Sequence, residues 1–257
     1  MTTTETVPNR GDGGVRSITR AVDLLDLFDA GHPARPLREI VRLTELPKTT
    51  VVRLLATLEG LGLVVDRQDG TYGLGARFLR WVRLADAMWE ISAETREVMR
   101  ALVDSCGETV NVYIRQDTHR VSIAQQEGTT TVRSVIEVGA QLPLTQGATA
   151  KVLLRDAPDD TWGALAARHP EIDVAALRRE VASTGELGYA VTHGERELGA
   201  SSVAAPISRG ARVVAALSIS GPTSRFTADR VGGYVDAVTA AARRISHAGL
   251  GSVEVFL

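Results

Sequence analysis

The sequence is short of the features that mark exported, disulfide-stabilised or membrane-spanning proteins. Its 257 residues include one cysteine, Cys106, which excludes an internal disulfide. No apolar run approaches the roughly 20 residues that cross a bilayer. The first 14 residues, MTTTETVPNRGDGG, lack the apolar stretch of a secretory signal. We therefore expect a protein of the reducing cytoplasm with no membrane contact, in which Cys106 is a small core residue rather than a nucleophile.

The chain also lacks a strong excess of charge of either sign. Its 29 Lys and Arg and 31 Asp and Glu give a net charge of −2, which excludes a protein that binds polyanions through bulk charge. Residues 1–14 are small, polar and glycine-rich, a composition that predicts a disordered tail. Apolar residues make up 44% of the chain, enough for one large domain or two modest ones.

Residues 15–75 show a recognisable order of elements. Hydrophobic periodicity and turn residues predict helices over 18–30, 37–43 and 48–60 and strands over 63–67 and 71–74. The two strands are joined by Gln68-Asp69-Gly70, and Asp-Gly is typical of a tight hairpin. Helix, helix, turn, helix and hairpin in this order are typical of a winged helix-turn-helix. We therefore expect a DNA-binding domain over 15–75.

The helix predicted over 48–60 has two chemically different faces. Turning 100° per residue from Thr49 gathers its hydroxyls and Arg53 on one side. The other side is apolar, and we expect it to pack in the core: Val51, Val52, Leu54, Leu55, Leu58 and Leu61. Arginine and hydroxyl groups can reach base edges or phosphates. The expected DNA contacts are Lys48, Thr49, Thr50, Arg53 and Thr57 on this helix, Arg38 and Arg42 before it, and Arg67 and Gln68 in the wing. The alternatives are an ordinary solvated face and a helix-turn-helix that binds only protein.

The rest of the chain changes character after two further helical stretches. We expect residues 76–104 to form linker or dimerisation helices. The pattern predicts helical stretches over 76–88 and 92–105. Beyond them, strands alternate irregularly with helices, which favours an α+β or α/β sensor-type domain over 105–257. Strands are predicted over 110–115, 120–126, 131–138, 189–192, 202–208 and 212–220. Helices are predicted over 148–154, 159–168, 174–183 and 227–247.

Six segments together resemble the IclR family of bacterial regulators. They are ITRAVDLLDLF (18–28), LPKTTVVRLLATLEGLGLV (46–64), GTYGLG (70–75), VGAQLPLTQGATAKVLL (138–154), GELGYAVTHGERELGASSVAAPI (185–207) and ALSISGPTSRFT (216–227). The resemblance spans nearly the whole chain. It implies an α+β fold: an N-terminal winged helix-turn-helix, a linker helix and a C-terminal GAF-like α/β effector-binding domain. It also implies homodimers or tetramers on palindromic double-stranded operator DNA.

The resemblance places an effector pocket in the C-terminal domain. Ala148 and Thr149 match positions whose backbone amides hold a small carboxylate. The other matching positions are Thr192, Ser202, Ser218 and Ser220, with Glu195 at an acidic position near the mouth. Serines on a strand can instead bond only the backbone, and for Lys151 we favour a salt bridge over ligand contact.

This chain departs from the family pattern at four positions. Ala150 and Val152 replace the usual glycine and alanine after the pocket loop. Val52 stands where histidine is common, and Thr192 where aspartate is common, which makes the pocket less negative.

The expected function is a ligand-responsive regulator of a metabolic operon that senses a small organic acid or an aromatic metabolite. One alternative is a DNA-binding protein whose C-terminal domain only oligomerises. A fused small-molecule enzyme is the other, but Ser218, Ser220, His193 and Glu195 form a triad only if a fold is assumed. His119 and His193 lack a second ligand at metal spacing, and no phosphate loop or nucleophile elbow occurs. We expect no enzymatic activity, cofactor or metal.

Overall fold

The structure is a computed structural model that describes residues 15–257. The tail predicted over 1–14 lies outside the described residues. The chain divides into two compact units, with the boundary between Ala87 and Met88.

The first unit contains a small helical core with a three-stranded sheet. Its elements are α1 (Arg16–Leu25), β1 (Ala34–Pro36), α2 (Leu37–Thr44), α3 (Lys48–Gly60), β2 (Val64–Asp66), β3 (Thr71–Leu74) and α4 (Arg77–Met88). Leu24 of α1, Ile40 of α2 and Leu55 of α3 are almost completely buried in one cluster. The order confirms the winged helix-turn-helix, and α3 has the bounds predicted for it.

Two features of this unit differ from the prediction. Strand β1 was not predicted, because three residues ending in Pro36 carry little periodicity. It pairs with β3, which gives the antiparallel order β1-β3-β2. Helix α1 ends at Leu25 instead of Ala30, because the chain turns there and the Leu27 carbonyl accepts a hydrogen bond from Arg35 Nε at 2.6 Å.

The second unit is built on one antiparallel sheet. Its strands are β4 (Thr109–Gln116), β5 (His119–Gln126), β6 (Gln141–Pro143), β7 (Ala190–His193), β8 (Ala200–Arg209) and β9 (Arg212–Pro222). Its helices are α5 (Ala93–Cys106), α6 (Ala148–Leu154), α7 (Asp159–Arg168), α8 (Val174–Leu187) and α9 (Ala228–Ala248). The strand order is β6-β5-β4-β9-β8-β7. This mixed arrangement confirms the α+β class.

The two faces of this sheet are covered by different helices. Helices α5 and α9 pack on one face, where Leu217 and Ile219 of β9 are fully buried. Helix α6 lies against the other face, with α7 and α8 beyond it. Side chains of a strand alternate between faces, so Ser218 and Ser220 point to the α6 side. That side carries most of the polar groups of the sheet.

The strand predicted over 131–138 is wrong. The segment has no regular secondary structure. Its carbonyl groups are bound by side chains instead of a neighbouring strand: Arg225 Nη2 donates to Val132 O at 2.9 Å, and Asn111 Nδ2 donates to Ile136 O at 3.3 Å. The valines that suggested a strand, Val132, Val135 and Val138, are exposed.

The stretch predicted as linker helices, 76–104, contains two helices of different kinds. Helix α5 packs Val98, Met99 and Leu102 into the core of the second unit. Helix α4 has no buried residue. A role in dimerisation stays a prediction. Within residues 15–257, no helix combines the length and apolar character needed to cross a bilayer.

Candidate functional site

The nine side chains predicted to contact DNA lie in α2, α3 and the β2–β3 wing. Eight are exposed: Arg38, Arg42, Lys48, Thr49, Arg53, Thr57, Arg67 and Gln68. Thr50 is half-buried. Within the described residues, none of the five cations in this set is held by a carboxylate. The Thr57 hydroxyl donates to the Arg53 carbonyl at 2.8 Å, so only its lone pairs remain for another partner.

The wing has a turn that its own side chains hold in place. Gln68 has a φ of 63° and its N–H donates to Asp66 Oδ1 at 3.0 Å. Asp69 Oδ1 accepts from the Thr71 N–H at 2.9 Å, and Gly70 supplies a φ of 79°. The hairpin predicted from Asp-Gly is confirmed. Its tip holds Arg67 and Gln68 in solvent.

Val52 is a correction to the predicted core face of α3. It is 44% exposed, whereas its neighbours Val51 and Leu55 are buried. On a helical wheel Val52 lies only 60° from Thr49, so it belongs to the edge of the polar face. Leu61, also assigned to the core, is 49% exposed. Val52 is therefore an apolar group among the candidate DNA contacts, which the periodicity alone had assigned to the interior.

All six residues predicted to bind an effector line one cavity of the second unit. Ala148 and Thr149 come from the start of α6. The others come from three adjacent strands: Thr192 from β7, Ser202 from β8, and Ser218 and Ser220 from β9. The free volume is about 40 Å³, room for a few water molecules at most.

The hydroxyl groups of the cavity differ in how far they are satisfied. Ser220 Oγ donates to Ser202 Oγ at 3.2 Å. The Ala148 N–H donates to Thr192 Oγ1 at 3.2 Å. Ser218 is fully buried, and its Oγ has no hydrogen-bond partner among the described residues. A buried unsatisfied hydroxyl is unfavourable, so Ser218 has a free hydroxyl with which to bond an incoming molecule.

A buried lysine, Lys151, forms ion pairs with two partly exposed carboxylates beside the cavity. Lys151 of α6 donates to Glu195 Oε1 at 2.5 Å and contacts Glu180 Oε2 at 2.9 Å. Burial by itself lowers the pKa of Lys151, but the hydrogen bonds to both carboxylates outweigh it and the pKa is raised. Glu195 Oε2 also accepts from the Gly147 N–H at 2.9 Å. The predicted salt bridge of Lys151 is confirmed, although the side chain is buried rather than on the surface.

Sequence reasoning missed several residues of the cavity wall, among them two large buried side chains. Tyr113 of β4 is buried among apolar groups, which raises its pKa to about 12. Arg120 of β5 is 2% exposed and lies with its guanidinium carbon 6.0 Å from the Tyr113 ring. The available signal was the alternation of polar residues, Arg120 and Ser122, with Val121 and Ile123 along a strand. An arginine facing inward on such a strand needs a specific partner.

The groups considered for a catalytic triad have other partners. His193 Nδ1 lies 3.0 Å from Ser201 Oγ, and Glu195 is bonded to Lys151 and Gly147. Among residues 15–257, no group of three His, Cys, Asp or Glu side chains has an arrangement that could hold a metal ion. Ser220 Oγ bonds Ser202 and Ser218 Oγ has no partner, so the four side chains considered do not form a triad among the described residues.

Comparison with known proteins agrees with the two-unit architecture. Residues 17–68 match the IclR helix-turn-helix domain, and residues 87–247 match the C-terminal domain of the bacterial transcriptional regulator IclR. The regulator KipR of Bacillus subtilis is 31% identical over 240 residues, which cover 90% of this chain and 96% of KipR.

Solved structures lead to the same family. An IclR-family protein from a Rhodococcus species is 46% identical, with a TM-score of 0.61, and the match covers 97% of this chain and all of that one. An IclR homologue from Microbacterium hydrocarbonoxydans, complexed with 4-hydroxybenzoate, shares the fold at 21% identity. Its TM-score is 0.69, over 93% of this chain and 99% of the homologue. The chain belongs to the IclR family of bacterial transcriptional regulators, with a helix-turn-helix domain that binds DNA.

Proposed function

We propose that this regulator binds a specific operator through α3 and the wing, and that a small organic acid or aromatic metabolite in the cavity changes its affinity for that operator. The observation that carries the proposal is the convergence of all six predicted effector residues, from α6, β7, β8 and β9, on one cavity. The spacing of these six residues along the chain does not by itself require that they line the same cavity. The protein would act in the cytoplasm as a homodimer or tetramer on double-stranded DNA, without catalysing a reaction.

Operator binding is supported by the polar face of α3. Its cations and all its hydroxyls except that of Thr50 are exposed. An arginine on a recognition helix can bond two acceptors of one guanine. Arg38 and Arg42 on the preceding helix suit phosphate contacts, which position the protein without reading sequence. The exposed tip of the wing suits the adjacent backbone.

A substitution of Arg53 tests the proposed operator binding. An operator selected from a random duplex pool is titrated with protein and followed by fluorescence anisotropy. We expect Arg53→Ala to weaken specific binding by about 1–3 kcal/mol and to relax the preference at one base pair. Arg80→Ala, an exposed arginine of α4, serves as the control and should change affinity little. Equal affinities for Arg53→Ala and wild type would remove Arg53 from the set of reading residues.

Effector binding is supported by the unsatisfied hydroxyl of Ser218 and by the polar face of the sheet around it. The Microbacterium homologue binds 4-hydroxybenzoate, which makes that acid a reasonable first probe. Coupling of about 1–3 kcal/mol between effector and DNA would change operator affinity 5- to 150-fold.

The effector part is tested by calorimetry and anisotropy with a panel of small acids and phenols. We expect one class to bind and to shift operator affinity, and Ser218→Ala to weaken that ligand without affecting DNA binding in its absence. Absence of heat and of thermal shift across the panel would favour a C-terminal unit that only oligomerises. Turnover of a panel member would favour the fused enzyme.

A further inference from the structure

Arg120 is a buried cation with no carboxylate of its own. Its Nη1 donates to the backbone carbonyls of Pro143 and of Gln146, the latter at 2.9 Å. Both acceptors are neutral, and within the described residues Arg120 forms no ion pair. Removing a guanidinium from water without a counter-charge is costly. A fold keeps such a group where a partner arrives from outside or where a function needs it.

Part of the guanidinium is left unused by the protein. Nε is buried and has no hydrogen-bond partner in the part of the chain that the structure describes. Nη2 lies beside Gly147: a Cβ atom added to this glycine would be 3.3 Å from Nη2. Gly147 has a φ of 95°, so the turn favours glycine and no side chain fills the space next to Nη2. The remaining donors of Arg120 therefore face the cavity wall beside α6.

The other cations around the cavity already have carboxylate partners. Lys151 is shared between Glu180 and Glu195. Arg196 lies 3.4 Å from Glu197 Oε2. Burial lowers the pKa of Arg120 to about 10, so the group is still protonated at neutral pH. The charge of Glu195, on the same cavity, favours the protonated form of Arg120, but both Glu195 oxygens are bonded to other groups, Lys151 and the Gly147 N–H. Of the three cations, Arg120 is the one that forms no ion pair with a described carboxylate.

We infer that Arg120 is the counter-ion for the acid group of the effector, which is a carboxylate whose oxygens accept from Arg120 inside the cavity. The inference rests on the proposed function and assigns a specificity-determining residue within it. The carboxylate enters next to Gly147, and the rest of the molecule extends along the serines of β8 and β9. Ser218 Oγ bonds that part of the ligand.

The test compares each acid with its amide, which has the same shape and no charge. The pairs are benzoate and benzamide, 4-hydroxybenzoate and 4-hydroxybenzamide, and acetate and acetamide. Affinities are measured by calorimetry and by thermal shift at constant ionic strength. For the acids that bind wild type, we expect an advantage over the amide of about 10- to 100-fold, as for hydrogen bonds to charged groups. In Arg120→Gln the advantage should fall to about one.

The ratio of acid affinity to amide affinity distinguishes recognition of charge by Arg120 from a purely structural role. Arg120 also holds the loop at Pro143 and Gln146, so a substitution that only loosens this loop weakens acid and amide alike and leaves the ratio unchanged. Arg115→Gln is the matched control: Arg115 lies on β4, is half-buried and bonds the neutral Thr161 hydroxyl at 3.2 Å. It should keep the wild-type ratio.

Three outcomes would overturn the assignment. An unchanged ratio in Arg120→Gln would make Arg120 a positioning residue only. Equal binding of acid and amide by wild type would remove the need for a counter-ion. No stabilisation of wild type by any of the three acids beyond that of chloride would show that the cavity does not take carboxylates. If a neutral compound then shifts operator affinity, the proposed function stands without this assignment.

Discussion

At the scale of single residues, Val52 is expected to influence which base pairs are preferred. It is an exposed apolar side chain beside Arg53 on α3, and apolar groups in a major groove contact the thymine methyl. We expect Val52→Ser to lower affinity for the preferred operator by about 1 kcal/mol, with little change on unrelated DNA. Selection from a random duplex pool with both proteins measures this. Identical selected sequences would show that Val52 does not contact a base.

Cys106 is the other residue with a testable chemistry. The thiol packs against the core beside α9, and burial raises its pKa. Because the thiolate is the reactive form, a raised pKa leaves less of it at pH 8. We expect a dipyridyl disulfide to react with the native protein at least about tenfold more slowly than with the protein in guanidinium. Equal rates would mean that the thiol is accessible and ordinary.

At the scale of elements, one ion pair anchors part of the irregular segment 127–140. Arg225 bonds both oxygens of the buried Glu108, at 2.5 and 2.7 Å, and also Thr130 Oγ1 and the Val132 carbonyl. Further along, Ser134 and Ile136 line the candidate effector cavity. Glu108 packs directly against Gly221. A Cβ atom added to this glycine would lie 2.2 Å from Glu108 Oε2. Arg225 therefore connects the ends of the central strands β4 and β9 to the segment that forms one wall of the cavity.

Removal of this connection should be measurable in two ways. Arg225→Gln leaves the Glu108 carboxylate buried without a counter-charge, which we expect to lower the free energy of unfolding by about 3 kcal/mol. Hydrogen exchange should accelerate over residues 129–139. Arg133→Gln breaks the exposed pair with Glu127 on the same segment and should cost less than about 1 kcal/mol. Equal effects of the two variants would argue against a special role for Glu108.

At the scale of the whole molecule, the exposed apolar side chains of α4 support the proposal that the protein forms oligomers. Five of its large apolar side chains are more than 40% exposed: Leu79, Trp81, Val82, Leu84 and Met88. A helix with this much exposed apolar surface is typical of an interface. A two-fold assembly also lets two weak half-site contacts act together. These observations support the proposed homodimer.

The assembly is tested by placing charge on this helix. We expect Leu79→Glu combined with Val82→Glu to lower the mass measured by light scattering and to weaken binding to a palindromic operator at least about tenfold. Binding to a half-site should change less. Arg83→Glu with Arg80→Glu introduces two carboxylates on the same helix at positions that are already polar. An unchanged mass in the Leu79 and Val82 variant would place the interface elsewhere.

Much of the fold follows from local pattern. The 3.6-residue period predicted α3, and Asp-Gly predicted the wing, because both signals depend on neighbouring residues. The strand predicted over 131–138 was wrong because its apolar residues have no neighbouring strand to pair with, and pairing is a tertiary property. Strand β1 was missed for the converse reason: three residues with little pattern become a strand only because β3 lies alongside.

The sequence by itself determined the order of elements in the first unit apart from β1, the polar face of α3 and, through resemblance, six positions of a candidate effector site. Only the tertiary structure decided that Val52 faces solvent and that Arg120 and Tyr113 join those six positions around one cavity. It also decided that Lys151 forms ion pairs with two carboxylates while Arg120 forms none with the described residues. The physical reason is that burial and charge balance depend on groups far apart in the chain, such as Arg120 and Gly147, which meet only when the sheet and α6 pack together.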